Sequence, residues 1–302
     1  MNRKNEFHIT GYECNEKHFH DHSCGGPKEK IAKTWLEEDT VDAWRHKRMY
    51  HLINPLLEAY PHASWLTCGD GRYGKDAHYI EKNGISVLAT DISDTLLIEG
   101  KKSGYIRNYQ KENAEALSFE GENFDFVFCK ESYHHFQRPM IALYEMLRVS
   151  SKGVVLIEPL DQYIDSYVPE IWFRHFKNLI KFLLGKKIEK HNFEESGNYI
   201  YRISKREIEK FSIAMNCKAL VFKGINDCYI KGVEFEKASP KSKLFRKIKR
   251  RIAFSNFLSR LRLNPYKLMC AIIFKIEPDV ILKNKLRKKG CRVIDLPINP
   301  YS

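Results

Sequence analysis

Apolar residues along this chain follow two rhythms. Runs of four to seven apolar residues suit strands buried on one or both faces. Apolar residues three and four apart suit amphipathic helices. Met49, Leu52, Ile53, Leu56, Leu57 and Tyr60 form one helical face over residues 40–60. Pro55 must kink or restart that helix, because its ring removes an N–H and crowds the preceding turn. The rhythms then alternate. Strand Ser64–Cys68 is followed by helix Gly74–Lys82, closed by Asn83-Gly84, then by strand Ser86–Thr90 and helix Thr95–Lys102. A weak strand at Tyr105–Tyr109, strand Asn123–Cys129, helix Met140–Arg148 and strand Gly153–Glu158 complete the series. Strands alternating with helices predict a mainly parallel α/β sheet with right-handed crossovers.

Beyond Pro159 the alternation loosens. Residues 160–203 are rich in aromatics and carry one predicted helix, Ile171–Leu184. Ser204 and Glu207 form a capping box that starts another helix, ending near Asn216. Two β-rich stretches, Cys217–Gly224 and Tyr266–Ile276, bracket a basic segment; a helix closed by Gly290 and an extended run follow. The expected organisation is an irregular segment over 1–39, an α/β domain over 40–278 with insertions at 160–203 and 233–265, and a terminal helix and tail over 279–302.

At 302 residues and 43% hydrophobic, the chain can bury a sizeable core. The eight cysteines lack the spacing of a disulfide framework, which suits reduced thiols. The first residues, MNRKNEFHIT, have no apolar signal region. The longest apolar run, Leu268–Phe274, falls far short of the roughly twenty residues that span a bilayer. A cytoplasmic protein, soluble or peripheral to a membrane, is expected.

Charge changes the picture only locally. The net charge is +13, yet residues 237–276 alone hold 12 Lys and Arg and no acidic residue. In that segment Phe245, Ile248 and Ile252 recur at helical spacing, and Phe257, Leu258 and Leu261 extend the apolar side. It reads as a basic amphipathic helix or helix pair. Three uses fit: contact with an anionic membrane, at about 1 kcal/mol for each nearby basic side chain; nucleic-acid binding, which the missing aromatic platforms argue against; or a lid that packs its apolar face on the domain. Near the start, Cys14, His18, His20, His22 and Cys24 are metal-ligand types, but their spacing matches no familiar zinc pattern, so no metal is expected.

The densest chemical signal is WLTCGDGRYGKDA, Trp65–Ala77, which places Gly69, Gly71 and Gly74 between a strand and a helix. Asp91 ends the next strand, twenty residues after Gly71, where a carboxylate can grip ribose hydroxyls. These two signals alone leave open a dinucleotide site, an adenosyl-donor site and a turn that binds nothing.

The stretches NAEALSFEGENFDFVFC, ESYHHF and EMLRVSSKGVVLIEP follow in order. With the glycine loop and Asp91, this succession resembles the class I S-adenosylmethionine-dependent methyltransferases, small-molecule branch, over about residues 40–160 and the two late strands. The resemblance implies a Rossmann-like doubly wound sheet of order 3-2-1-4-5-7-6 with its last strand antiparallel, and S-adenosylmethionine as cofactor. It also implies that Gly69, Gly71 and Gly74 line the methionine and ribose side, that Asp91 holds the ribose hydroxyls and that Ile92 packs on adenine. Asn113 and Ala114 would meet the adenine edge, and Cys129 and Lys130 would face the methionine part. The implied acceptor is a small or glycan-like molecule, methylated on oxygen. Two positions depart from the family pattern: Thr67 stands where an acidic residue is usual, and Tyr73 takes the third glycine's place.

A sulfonium methyl is already activated, so alignment of the acceptor supplies much of the catalysis. A hydroxyl acceptor needs a base as well. His134 and His135, just after the fourth strand, are candidates for that base or else packed and capping residues; Glu131 and Glu158 are further candidates. On the helix before the loop, Arg45 or Arg48 could pair the methionine carboxylate, or the helix could be a solvated face around a core Trp44. Two other classes stay open. A nicotinamide-dependent reductase or epimerase would use a Tyr-x-x-x-Lys, matched only by Tyr201–Lys205. A membrane-surface or interaction protein would keep the fold without catalysis.

Overall fold

The computed structural model describes residues 11–14, 16–17, 20, 29–164, 166–186, 191–193 and 198–301. His18, His22 and Cys24 of the N-terminal cluster lie outside them. The described part of residues 11–20 has helical backbone where an irregular segment was expected. Among the described residues there is no group of acidic, His and Cys side chains placed to hold a metal ion.

The helices α1 (Glu29–Thr34), α2 (Val41–Tyr50) and α3 (Asn54–Ala59) precede the sheet. Pro55 restarts the helical face as expected, standing in the first turn of α3. The alternating part runs β1 (Ser64–Cys68), α4 (Lys75–Glu81), β2 (Ser86–Asp91), α5 (Thr95–Lys102), β3 (Tyr109–Lys111), β4 (Phe124–Lys130), α6 (Pro139–Val149) and β5 (Ser150–Pro159). A 3-10 turn, Tyr133–His135, joins β4 to α6. Then come α7 (Val168–Leu183), α8 (Lys205–Ala214), β6 (Ala219–Ile225), α9 (Lys243–Arg260), β7 (Leu268–Phe274), α10 (Val280–Lys288) and β8 (Arg292–Asp295).

The sheet order is β3-β2-β1-β4-β5-β7-β6-β8. The first five strands are parallel, and β7 pairs antiparallel to both β5 and β6. This is the doubly wound, Rossmann-like arrangement expected, with two differences. The weak third strand lies at Tyr109–Lys111 rather than Tyr105–Tyr109, because its register is set by pairing with Ala89–Asp91. The extended tail is an eighth strand, antiparallel to β6. Edge strands carry little local pattern, so both were blurred in the sequence.

Side-chain alternation divides the interior into two cores. Trp65, Phe126, Phe128 and Ile157 face Met49, Ile53, Leu56, Leu282 and Leu286. Leu66, Val127, Leu156 and Ile273 face Leu143, Met146, Ile208 and Phe211 on the other side. Strand β7, LMCAIIF, sends alternate residues to each core, which is why it reads as an unbroken apolar run. A third cluster joins α9 to α2: Phe245, Ile248 and Ile252 pack on Val41, Cys228 and Val233, with Trp44 edge-on to Phe245 at 5.0 Å. The basic segment therefore contains one helix, seated on the domain beside α2 through Phe245, Ile248 and Ile252, while Phe257 and Leu261 stay exposed.

Trp65 is wholly buried in the first core, stacked on Phe126 at 4.8 Å. Trp65→Ala should destabilise the protein by about 3–5 kcal/mol, read as a lower midpoint in urea unfolding. An unchanged midpoint would mean that this core does not hold the sheet.

Candidate functional site

The C-terminal ends of β1, β2 and β4 meet at the glycine loop. Gly69 has φ +74°, and a side chain there would meet Ser132 Cβ at 2.3 Å. Tyr73 (φ 58°) and Gly74 (φ 74°) both turn left-handed before α4. The displaced glycine has a packing reason: a Cβ on Gly74 would lie 2.7 Å from Ile106 and 3.4 Å from Ala89. Tyr73 meanwhile buries its ring.

Asp70, within the loop, fixes what the loop can bind. It is buried; its carboxylate accepts the Asp76 N–H at 3.0 Å, the Ala77 N–H at 2.8 Å and the Thr67 hydroxyl at 2.9 Å. The Lys75 N–H donates to the Arg72 carbonyl at 3.1 Å. The first-turn donors of α4 are thus satisfied inside the loop. A dinucleotide site needs those donors for its pyrophosphate. Thr67, where the resemblance leads one to expect an acidic residue, is a hydrogen-bond partner of Asp70. Burial and the neighbouring Asp76 raise the Asp70 carboxyl well above the usual range.

Asp91 ends β2 and accepts the Ser93 N–H at 2.9 Å, with further N–H donation from Gly71 and Ile92. Burial outweighs these bonds and raises its carboxyl to about 6. A cavity of about 420 Å³ lies next to it, lined among others by Ile92, Asn113, Glu112 and Ser118 and by three N-terminal residues, Tyr12, Glu13 and Glu16. Ile92 and Asn113 are thus brought together as expected, while Ala114 is buried beneath them in the second core. The Tyr12 hydroxyl donates to Glu115 at 2.6 Å, and Arg138 bridges both. An uncapped polar run gave no hint that Tyr12 would close this cavity.

Around Lys130, at the end of β4, lies a buried charge network. The Cys129 side chain points into the second core, so only its backbone can face a ligand. Lys130 is buried, 3.2 Å from Asp76, which also accepts the Tyr50 hydroxyl at 2.6 Å. His46 lies 3.3 Å from Glu131 and 3.0 Å from Arg72. Burial alone would raise the Glu131 carboxyl, but His46, Lys130, Arg72 and Arg45 outweigh it and hold it at about 2. Arg45 is paired with Asp42 at 2.8 Å and with Asp227, and Arg48 donates to the Asn226 carbonyl at 3.0 Å. Both are engaged in tying α2 to the loop after β6. Arg72 and Lys75 are the cations nearest the loop.

The turn after β4 is tied to the glycine loop, since Ser132 Oγ donates to the Gly69 carbonyl at 2.6 Å. Its backbone N–H and that of Tyr133 donate to one oxygen of Glu158, at 2.9 and 3.0 Å. The other oxygen lies 2.6 Å from His134 Nδ1. The two histidine rings lie 4.0 Å apart, tilted by 36°, and it is His134 that faces the carboxylate. A larger cavity, about 870 Å³, opens nearby between α6, α8 and the 160–203 insertion. Tyr144, Tyr163, Tyr201, Phe211, Arg202 and Arg206 line it, and the Tyr201 N–H donates to the His134 carbonyl at 3.3 Å. The Tyr201 hydroxyl donates to Glu207, while Lys205 opens α8. Tyr201 and Lys205 thus do not form a reductase pair on one helix.

Residues 66–157 match the family described as "Methyltransferase domain". A ubiquinone biosynthesis O-methyltransferase of Coxiella burnetii is 25% identical over 172 residues, spanning 52% of this chain and 68% of that protein. Among solved structures, the magnesium protoporphyrin IX methyltransferase of Synechocystis PCC 6803 with bound SAH shares the fold at TM-score 0.50 and 10% identity, covering 87% of this chain and 99% of that one. A SAM-dependent methyltransferase from Archaeoglobus fulgidus aligns at TM-score 0.44 and 16% identity over 75% and 94%.

An Asp91 carboxyl near 6 is ionised, and able to accept two ribose hydroxyls, only above that pH. Affinity for S-adenosylhomocysteine should be flat above pH 7 and fall by up to about tenfold per unit below pH 6. Asp91→Asn should flatten the profile. A wild-type profile flat from pH 5 to 8 would remove Asp91 from the ribose.

Proposed function

We propose that this chain, a class I S-adenosylmethionine-dependent methyltransferase with S-adenosylmethionine as its methyl donor, methylates a hydroxyl of a small-molecule acceptor with His134 as general base. The observation that carries this reading is the 2.6 Å contact of His134 Nδ1 with Glu158, a carboxylate itself held by two backbone N–H groups. A carboxylate at Nδ1 fixes the ring tautomer with its proton there, which leaves the lone pair on Nε2. The same carboxylate stabilises the imidazolium once a proton has been taken.

The bound cofactor supplies an electrophilic methyl group. Gly69 and Gly71 let the backbone approach it, Asp91 accepts its ribose hydroxyls, and Ile92 and Asn113 contact the adenine. Lys130 and Ala114 hold these walls from behind. Ser132 ties the base-bearing turn to the glycine loop, so donor and acceptor sites move as one body. As the acceptor oxygen takes the methyl, its proton passes to His134 Nε2. His135 packs on His134 and positions it.

The 870 Å³ cavity, which reaches the His134 backbone through its lining residue Tyr201, is the acceptor site in this reading. Its aromatic walls suit a ring face, and Arg202, Arg206 and Lys210 suit an anionic substituent. A glycan-like or phenolic acceptor bearing an acid fits both features. The Coxiella burnetii relative is named an O-methyltransferase, which supports oxygen as the methylated atom.

His134→Gln should lower turnover by about 10²–10⁴ and leave S-adenosylhomocysteine affinity within twofold. His135→Gln should retain most of the rate. Methyl transfer at the wild-type rate in the His134 variant would refute the base assignment.

A further inference from the structure

Helix α7 is amphipathic, and it is mounted the wrong way round for water. Trp172, Phe176, Leu179 and Leu183 are spaced four, three and four apart, so they form one stripe. They are exposed by 73, 57, 55 and 73%. The opposite, polar stripe faces the protein. Glu170 is buried, Arg174 donates to the Gln162 carbonyl and to Ser166, and Lys177 donates to Asn264 at 2.6 Å. A water-facing helix would reverse the two sides, and exposed apolar stripes of this size mark interaction surfaces.

The neighbourhood identifies the partner. Lys177 and Asn264 bring α7 against the segment that follows α9, and Arg262 stacks over Tyr167 at 4.3 Å. On α9, Lys243, Arg246, Lys247, Arg250 and Arg251 are all exposed, and among the described residues none of them is in an ion pair. Phe254, Phe257 and Leu261, near the α7 junction, are exposed as well. The apolar stripe and the cationic row therefore meet on one flank. A second copy of this chain would bring two such cationic rows together. An anionic bilayer offers apolar depth for the stripe and headgroup charge for the row.

We propose that α7 lies in the surface of an anionic lipid bilayer, its Trp172–Leu183 stripe below the headgroups, with the α9 cations holding the headgroups alongside. Among the described residues no helix is long and apolar enough to cross a membrane, so α7 would lie in the interface plane. Because α7 and the acceptor-cavity residues Tyr163 and Ile164 belong to the same insertion, the cavity would sit at the level of the membrane surface.

The test is flotation of the full chain, without methyl donor, on vesicles of phosphatidylcholine alone and of phosphatidylcholine mixed with phosphatidylglycerol, at low salt. The protein should float only with the anionic vesicles. Trp172→Asp combined with Leu179→Asp should cut the bound fraction by about tenfold, with unchanged S-adenosylhomocysteine affinity reporting an intact fold. Arg250→Gln with Arg251→Gln should weaken binding and reduce its salt dependence. Absence of wild-type flotation on anionic vesicles would overturn the proposal. So would flotation indifferent to the α7 double substitution, or a wild-type dimer that the same substitution splits in the absence of vesicle binding. None of these outcomes depends on methyl transfer.

Discussion

The site depends on one buried carboxylate, that of Asp70. Asp70 accepts both N–H groups at the start of α4 and the Thr67 hydroxyl, and so closes the helix end that a Rossmann-like fold ordinarily offers to a phosphate. With those donors occupied, the glycine loop can still bring backbone close to a nucleotide, but it has little with which to hold a pyrophosphate. What remains is a carboxylate at the end of β2, Asp91, a cavity beside Ile92 and Asn113, and a cationic zone at Arg72 and Lys75. Those features suit an adenosyl group carrying an amino acid. Burial and the neighbouring Asp76 raise the Asp70 carboxyl above its usual range, while the two backbone N–H groups and the Thr67 hydroxyl oppose that shift.

Around this closure the fold arranges charge where a core would normally be apolar. Asp42, Arg45, His46, Asp76, Lys130 and Asp227 are buried and come from four separate parts of the chain. Burying such groups costs free energy that pairing only partly returns. The network makes geometrical sense, because it joins α2, the glycine loop, the end of β4 and the loop after β6 into one wall. Helix α9 completes that wall from outside by packing Phe245, Ile248 and Ile252 against Val41 and Trp44. The segment with the strongest charge asymmetry in the sequence is thus anchored through Phe245, Ile248 and Ile252.

Much of this was legible in the residues. Strands β1, β2, β4, β5, β6 and β7 were placed within two or three residues, because each carries a run or alternation of apolar side chains between clear turn signals. Strands β3 and β8 were misjudged or missed, being short, half-exposed and defined only by pairing. Asp91, Ile92 and Asn113 could be placed from order alone, because strand ends fix them. Asp70 could not, since its partners are backbone N–H groups that exist only once α4 forms. The choice between His134 and His135 was equally invisible. It rests on Glu158, which reaches the turn from a neighbouring strand. The pairing of Arg45 and Arg48 could not be read from the sequence, because their partner, Asp227, lies about 180 residues away.

The most direct test of the Asp70 closure is calorimetric titration of the full-length chain with S-adenosylmethionine, S-adenosylhomocysteine and NAD under one buffer condition. Saturable binding of both sulfur nucleotides at one site per chain, with no heat from NAD, is expected. Saturable NAD binding, with no heat from either sulfur nucleotide, would contradict the account.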